Sequence, residues 1–256
     1  MKHHNLIGIG LVILVIFGGA LWAHNRSINE LSKSNTAVST QSNSIQSSKP
    51  VEFDKTQYSN DDPASIWTVV NKLRPLNPLS YAPTDLVTPT MPRRSSGSEM
   101  MVRKAAAEAL ETMSNDAKAS GAQLMLASGF RSYTLQVSVY NNEVKAYGQA
   151  TADRESARPG YSEHQTGLAM DLEPTSRQCE LQDCFANTVE GKWLATNAYK
   201  YGFLMRYQAG KESITGYKQE PWHFRYIGEE LANELHQKNI STLEEFFGLP
   251  AAANYR

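Results

Sequence analysis

Two histidines stand out in this 256-residue chain because each sits among polar residues that could work with it. His164 lies in the run Ser162-Glu163-His164-Gln165-Thr166-Gly167-Leu168-Ala169-Met170-Asp171, and His223 lies in Glu220-Pro221-Trp222-His223. Two imidazoles and one carboxylate are a common donor set for a catalytic zinc, which keeps a further position open for water. His164, Asp171 and His223 would supply those donors, one ion per chain. Glu220 could approach the same point as a base rather than a ligand. Each half taken alone also fits a plainer role. A histidine in an aromatic strand is often a hydrogen-bonded structural residue, and an aspartate in a strand is often exposed. The other histidines offer less. His3, His4 and His24 flank an apolar segment without catalytic company, and His236 falls on a polar stretch of a terminal helix, as a surface residue would.

These side chains need elements to hold them. Leu168, Met170 and Leu172 alternate with Ala169 and Asp171, which predicts a strand over 167–172 with Asp171 off the core face. Trp222, Phe224 and Tyr226 alternate against His223 and Arg225 in a second strand. Both polar side chains could thus project from the non-core face of one sheet. Pro221 bends the chain, so Glu220 need not obey the alternation. Upstream, Ser96 or Ser98 can cap a helix carrying Val102, Ala106, Ala109, Met113 and Ala117, with Gly121 as its stop. A short strand is expected over 123–128. Tyr133, Val137, Tyr140, Val144 and Tyr147 step by four and three along one helical stripe ended by Gly148. Further helices are expected over 192–201, 229–238 and 242–247, and a short one over 66–72 within a proline-rich lead-in. Helices and strands do not alternate as βαβ units. The expected class is therefore α+β, a small antiparallel sheet with flanking helices carrying the zinc site.

Composition sets the setting. Lys and Arg number 25 against 26 Asp and Glu, so no basic excess exists to neutralise a phosphate backbone, and nucleic acid is excluded as a partner. No protein partner can be inferred. Leu6 to Ala23 runs 18 residues without a charge, long enough as a helix to reach ~27 Å, close to a bilayer core. Trp22 suits the membrane interface and Lys2 a cytoplasmic N-terminus, which favours an uncleaved membrane anchor. Gly18-Gly19-Ala20 keeps open a cleaved signal peptide. Either way the remainder stands outside the cytoplasm. In 25–50, 16 of 26 residues are Ser, Thr, Asn or Gln and none is aromatic, the composition of a flexible tether. The expected organisation is thus an anchor or signal segment over 1–24, a linker over 25–52 and a catalytic domain over 53–256. Cys179 and Cys184 could be zinc ligands or a disulfide. No histidine neighbours them, and an extracytoplasmic address favours the bridge.

The joint pattern goes further than its halves. Ser162-x-His164-x-x-Gly167-x-Ala169-x-Asp171 followed by Glu220-x-Trp222-His223 resembles the signature of the VanX/VanY family of zinc carboxypeptidases, which act on D-alanyl-D-alanine or related peptidoglycan stems. Ser128-Gly129-Phe130-Arg131-Ser132-Tyr133 with Gln136 is similar to the family's SGYRSxxxQ segment, with Phe130 in place of the usual tyrosine. Lys200-Tyr201-Gly202-Phe203 and the run from Glu220 to Tyr226 look closest to the VanY-type and LD-carboxypeptidase branch rather than the VanX dipeptidases. The likeness spans about Thr84 to Gly228. It implies a small α+β domain shared with the Hedgehog signalling domain. It also implies zinc on His164, Asp171 and His223, Glu220 as general base, and Arg131 facing an oxyanion or a terminal carboxylate. Gln136 and Ser162 match positions that help hold the substrate's C-terminal carboxylate. By plainer readings Gln136 faces solvent from a helix and Ser162 only shapes the turn before His164. The expected function is removal of the terminal D-alanine from stem peptides. The alternatives are a lysin-like zinc endopeptidase and a non-catalytic peptidoglycan-binding module, and retention of Glu220 speaks against the last. A DD-enzyme would remove the fifth stem residue and an LD-enzyme the fourth. That choice depends on loops the sequence does not place.

Overall fold

The computed structural model describes residues 52–256, so the apolar segment 6–23 and most of the polar tether lie outside the described residues. Among the described residues no helix is long and apolar enough to cross a membrane. The lead-in makes no helix over 66–72. Trp67, Thr68, Val69, Val70 and Asn71 are all buried in succession, which extended chain allows and a one-sided surface helix does not. Trp67 Nε1 donates to the Ile227 carbonyl at 2.9 Å, tying this segment to the far end of the chain.

Strand β1 (Leu86–Val87) pairs antiparallel with β2 (Val102–Arg103), a ribbon absent from the sequence-based expectation. Val102 is therefore ribbon and not helix. Helix α1 runs Lys104–Ala119 and buries Ala106, Ala107, Leu110, Met113 and Ala117, so the start expected near Ser98 is late by about one and a half turns. Strand β3 (Leu124–Ser128) follows. Helix α2 (Tyr133–Tyr147) is capped by the Ser132 hydroxyl, which accepts from the Leu135 N–H at 3.2 Å. Its expected apolar stripe is mostly peripheral: Tyr140 is buried while Tyr147 is 64% exposed. The helix lies against the short α3 (Gln149–Glu155) rather than on the core.

Strand β4 (Ala169–Pro174), helix α4 (Val189–Asn197), strand β5 (Phe203–Tyr207), the single turn α5 (Glu212–Thr215) and strand β6 (Glu220–Tyr226) complete the sheet and its covering. Helices α6 (Glu229–Gln237) and α7 (Leu243–Phe247) close the chain. The sheet order is β3-β4-β6-β5, antiparallel throughout, which makes the domain α+β. Strand β5 was not foreseen from the sequence. Leu126, Met170, Leu172 and Phe224 pack with Leu110 and Met113 of α1 in the main core. Each such side chain contributes roughly 1.5–3 kcal/mol by leaving water. Trp67, Leu204, Ile227, Leu231 and Phe246 form a second cluster under α6 and α7. The strand expected over 167–172 lies at 169–174, with Leu168, Met170 and Leu172 buried as their alternation requires.

Candidate metal centre and active-site cleft

Strands β4 and β6 bring the two halves of the pattern together. Asp171 lies directly opposite His223 in the ladder, and the next pair, Met170 with Phe224, points into the core. His164 arrives from a 3-10 turn (Glu163–Thr166) that precedes β4. Gly167 ends this turn at φ +68°, and a Cβ there would meet the Leu86 side chain at 2.9 Å, so the reversal into β4 calls for glycine. The His164 Nδ1–H donates to the Gly129 carbonyl across 2.7 Å, because a carbonyl can only accept. Nε2 is thereby turned toward Asp171.

Asp171 serves both histidines. His164 Nε2 stands 3.4 Å from its Oδ2, and His223 Nδ1 stands 3.4 Å from its Oδ1. Each gap runs to a different oxygen of Asp171, and both are short enough for the two nitrogens and one of those oxygens to converge on a single ion. The three donor atoms lie within 4.8 Å of one another, all from buried residues. Asp171 Oδ1 is buried with no hydrogen-bond partner among the described residues, as expected of an oxygen meant for a cation. The donor set fits a single zinc ion.

Electrostatics agree with the geometry. Burial would raise Asp171, but His164 and His223 outweigh it and hold the carboxyl well below its ordinary range. Burial pushes His164 down, which favours the neutral imidazole a metal needs, with Asp171 opposing. Around His223 burial disfavours charge, yet Asp171, Glu163 and Glu220 overcome it and bring the ring up to about 9. The field that would hold a proton on His223 attracts a divalent cation in the same place. Glu220 is pushed up to about 7 by burial, with Asp171 adding and His223 opposing, near the operating point of a general base.

Glu220 opens β6, where alternation would send it to the Trp222 side. Instead its Oε2 lies 3.4 Å from His223 Nδ1. The ladder explains this: Met205 pairs with Phe224 and Tyr207 with Glu220, so Pro221, Trp222 and His223 together oppose Arg206 alone. The bulge re-aims the carboxylate.

These groups line a cleft of about 170 Å³ that also receives Arg131, Ser162, Leu181, Tyr207 and Tyr217. The Arg131 guanidinium donates to Gln136 Oε1 at 3.2 Å and weakly to Ser128 Oγ at 3.4 Å. It has no acidic partner among the described residues. Gln136 is fully buried, so it does not face solvent. It sits behind Arg131, with Nε2 donating to the Ala157 carbonyl at 2.6 Å, and is not itself in the cleft wall. Ser162 does border the cleft, at the start of the turn that carries His164, where its side chain makes no cap. Cys179 and Cys184 are joined as a disulfide on the loop that presents Leu181. His236 is exposed and stacks on Tyr199, with ring centroids 3.5 Å apart, and neither residue lines the cleft. A larger cleft of about 250 Å³ between α4, β5 and α6 holds no carboxylate and lies apart from this chemistry. Glu163 and Arg206 were missed from the sequence. Both are fully buried, Glu163 beside His223 and Arg206 paired with Glu163, and the available signal was Arg225, placed on the same strand face as His223.

Residues 99–229 match the family model described as VanY, D-alanyl-D-alanine carboxypeptidase. The chain is 43% identical over 225 residues to YodJ of Bacillus subtilis (strain 168), whose name assigns it provisionally to the carboxypeptidases. That alignment covers 83% of this chain and 81% of the relative. Among solved structures, the LdcB LD-carboxypeptidase superposes with a TM-score of 0.69 at 46% identity, over 73% of this chain and 87% of that one. A vancomycin-resistance D,D-pentapeptidase VanY, in a variant solved with Zn(II), superposes at 0.58 with 29% identity, over 70% and 97%. This is a zinc-peptidase fold with its donor set in place. The chain belongs to the VanY D-alanyl-D-alanine carboxypeptidase family.

Proposed function

We propose that this protein is a zinc-dependent carboxypeptidase that removes the terminal D-alanine from peptidoglycan stem peptides. One observation carries the reading. Three buried donors within 4.8 Å of one another, a half-buried carboxylate beside them and an arginine without an acidic partner among the described residues share one cleft. His164, Asp171 and His223 would hold the zinc ion, which when bound would supply Lewis-acid polarisation of the scissile carbonyl and lower the pKa of water toward ~7. Glu220 accepts the proton of the attacking water and passes it to the leaving amine, one carboxylate serving both transfers. Arg131 offers a planar fork to the terminal carboxylate or to the developing oxyanion. Gln136 orients that fork by accepting from it, and Ser162 borders the space the carboxylate would occupy.

The identity of 46% to an LD-carboxypeptidase, against 29% to a D,D-pentapeptidase, supports the LD bond and removal of the fourth stem residue. Residues 53–256 are the catalytic domain in this proposal, and 25–52 the tether. Residues 1–24 hold the enzyme to the outer face of the cell membrane, or release it if they are cleaved. Digestion of defined stem peptides, read by mass spectrometry, tests the reading. Free-acid tetrapeptide should lose one D-alanine while its C-terminal amide is nearly inert, because a lost charge-assisted bond in a buried site costs ~2–5 kcal/mol, well over tenfold in rate. Comparable cleavage of acid and amide would point to an endopeptidase. Cleavage of pentapeptide alone would move the specificity to the DD bond.

A further inference from the structure

Four buried charged side chains of this domain form a cluster that the reaction above leaves unused. Glu163, Arg206 and Arg225 are fully buried, and Glu244 nearly so. Both arginines bond the same oxygen: Arg206 Nε and Arg225 Nη1 each lie 2.9 Å from Glu163 Oε1. Glu244 takes the other side of Arg206 in a bidentate pair at 2.9 and 2.7 Å, and Asn71 donates to Glu244 at 2.9 Å. Arg225 spends its remaining donors on the carbonyls of Ile66, Thr68 and Tyr226. Two arginines thus balance two glutamates, and every one of these groups is satisfied except one oxygen.

That oxygen is Glu163 Oε2. It is buried without a hydrogen-bond partner among the described residues, and so is His223 Nε2. The two atoms stand 3.5 Å apart, at the edge of hydrogen-bond range. His223 reaches the metal centre with its opposite nitrogen, Nδ1. An imidazole that donates from one nitrogen is held in the tautomer whose lone pair is on the other, and the acceptor also fixes the ring's orientation. His164 has a backbone carbonyl for this purpose. His223 has a carboxylate, kept ionised and immobile by two arginines.

We propose that Glu163 is the positioning residue of the metal centre: through Oε2 it holds the His223 ring with Nδ1 free for zinc. Arg206 and Arg225 direct it there by occupying Oε1. The inference rests on the reading of His223 as a zinc ligand.

The test compares zinc affinity, by competition with a chromogenic chelator, across the native chain, Glu163→Gln and Glu244→Gln, with thermal unfolding followed in parallel. Glu163→Gln should weaken zinc binding about 10- to 100-fold. Glu244→Gln disturbs the same buried network without touching His223, so it should lower the melting temperature yet leave zinc affinity unchanged. Equal zinc affinity in Glu163→Gln and native protein would overturn the inference, as would an equal loss in both variants. A native chain that takes up no zinc would instead remove the metal reading itself. Should Glu163→Gln fail to fold, NMR of the zinc-loaded native protein decides. A His223 Nε2 proton protected from solvent exchange is expected, and one exchanging as freely as in free imidazole would overturn the assignment.

Discussion

Glu220 differs from the other carboxylates of the cleft in what surrounds it. Asp171 has two histidines on its oxygens and stays ionised, whereas desolvation, with Asp171 adding, pushes the half-buried Glu220 up to about 7. In the proposed reaction one carboxylate binds and the other exchanges a proton. Glu220→Gln should therefore keep its zinc and lose roughly 100- to 10,000-fold in kcat, since an amide cannot take the water proton. Metal content measured beside turnover separates this from a lost ligand, and near-normal turnover would remove Glu220 from the base role. Arg131 makes a second residue-scale case. Its guanidinium is steadied by Gln136 and has no acidic partner, so Arg131→Lys should lower kcat/KM for free-acid substrate more than tenfold, given ~2 kcal/mol or more for the bidentate contact. An equal fall for acid and amide substrates would assign Arg131 to bracing the loop.

At the scale of elements, the site is a meeting of three segments: the turn before β4, the β4–β6 ladder, and the loop after β3. Register sets Asp171 against His223, and the bulge in β6 sets Glu220 beside them. The loop between β4 and α4 adds Leu181 to the cleft wall, and Arg177, Cys179 and Leu181 there all have positive φ. Such backbone is costly for residues with side chains, so the loop needs cross-links to hold it. The Cys179–Cys184 bridge and the ion pairs of Glu180 with Arg94 and Arg177 provide it. Replacing both cysteines by serine should lower unfolding free energy by about 2 kcal/mol, the chain-entropy value for so short a loop. Urea denaturation measures this. An unchanged midpoint would show that the ion pairs suffice.

Across the whole molecule, the buried charges join segments remote in sequence. Asn71, Glu163, Arg206, Arg225 and Glu244 link the lead-in, the metal turn, two strands and the last helix. Glu244 is held below its ordinary range: burial would raise it, but Arg206 prevails. A carboxylate depressed in the folded state contributes stability above its unfolded value of about 4.3, and that contribution is lost as pH falls through the folded value. Native protein should thus exceed Glu244→Gln by about 3 kcal/mol near neutrality, the cost of breaking a buried pair. The difference should shrink steadily below about pH 4. A gap that stays constant from neutral to acid pH would contradict this account.

The candidate donors were legible in the sequence because ligand chemistry restricts residue type and strand alternation restricts facing. Glu220 was legible because Pro221 frees it from that alternation, whereas Arg131 was marked only by the resemblance of its segment to the family's. Asp171 and His223 had to leave the core face once Met170 and Phe224 occupied it, and both strands and the α+β class follow from that period of two. Other features depend on contacts between distant segments. The 66–72 stretch has the residues of a helix but is drawn out because Trp67 and its neighbours fill a cleft beside Ile227. Val102 joins a ribbon because Val87 lies beside it, which no local signal near Ser98 reports. Gln136 looks like a surface residue on an amphipathic helix, and only the loop at Ser156 and Ala157 buries it. Nothing in the sequence sets Glu163 apart, since a lone glutamate in a turn is ordinarily solvated. Its partners Arg206 and Arg225 lie 43 and 62 positions away, and a charge can be taken out of water only where folding has already assembled its counter-charges.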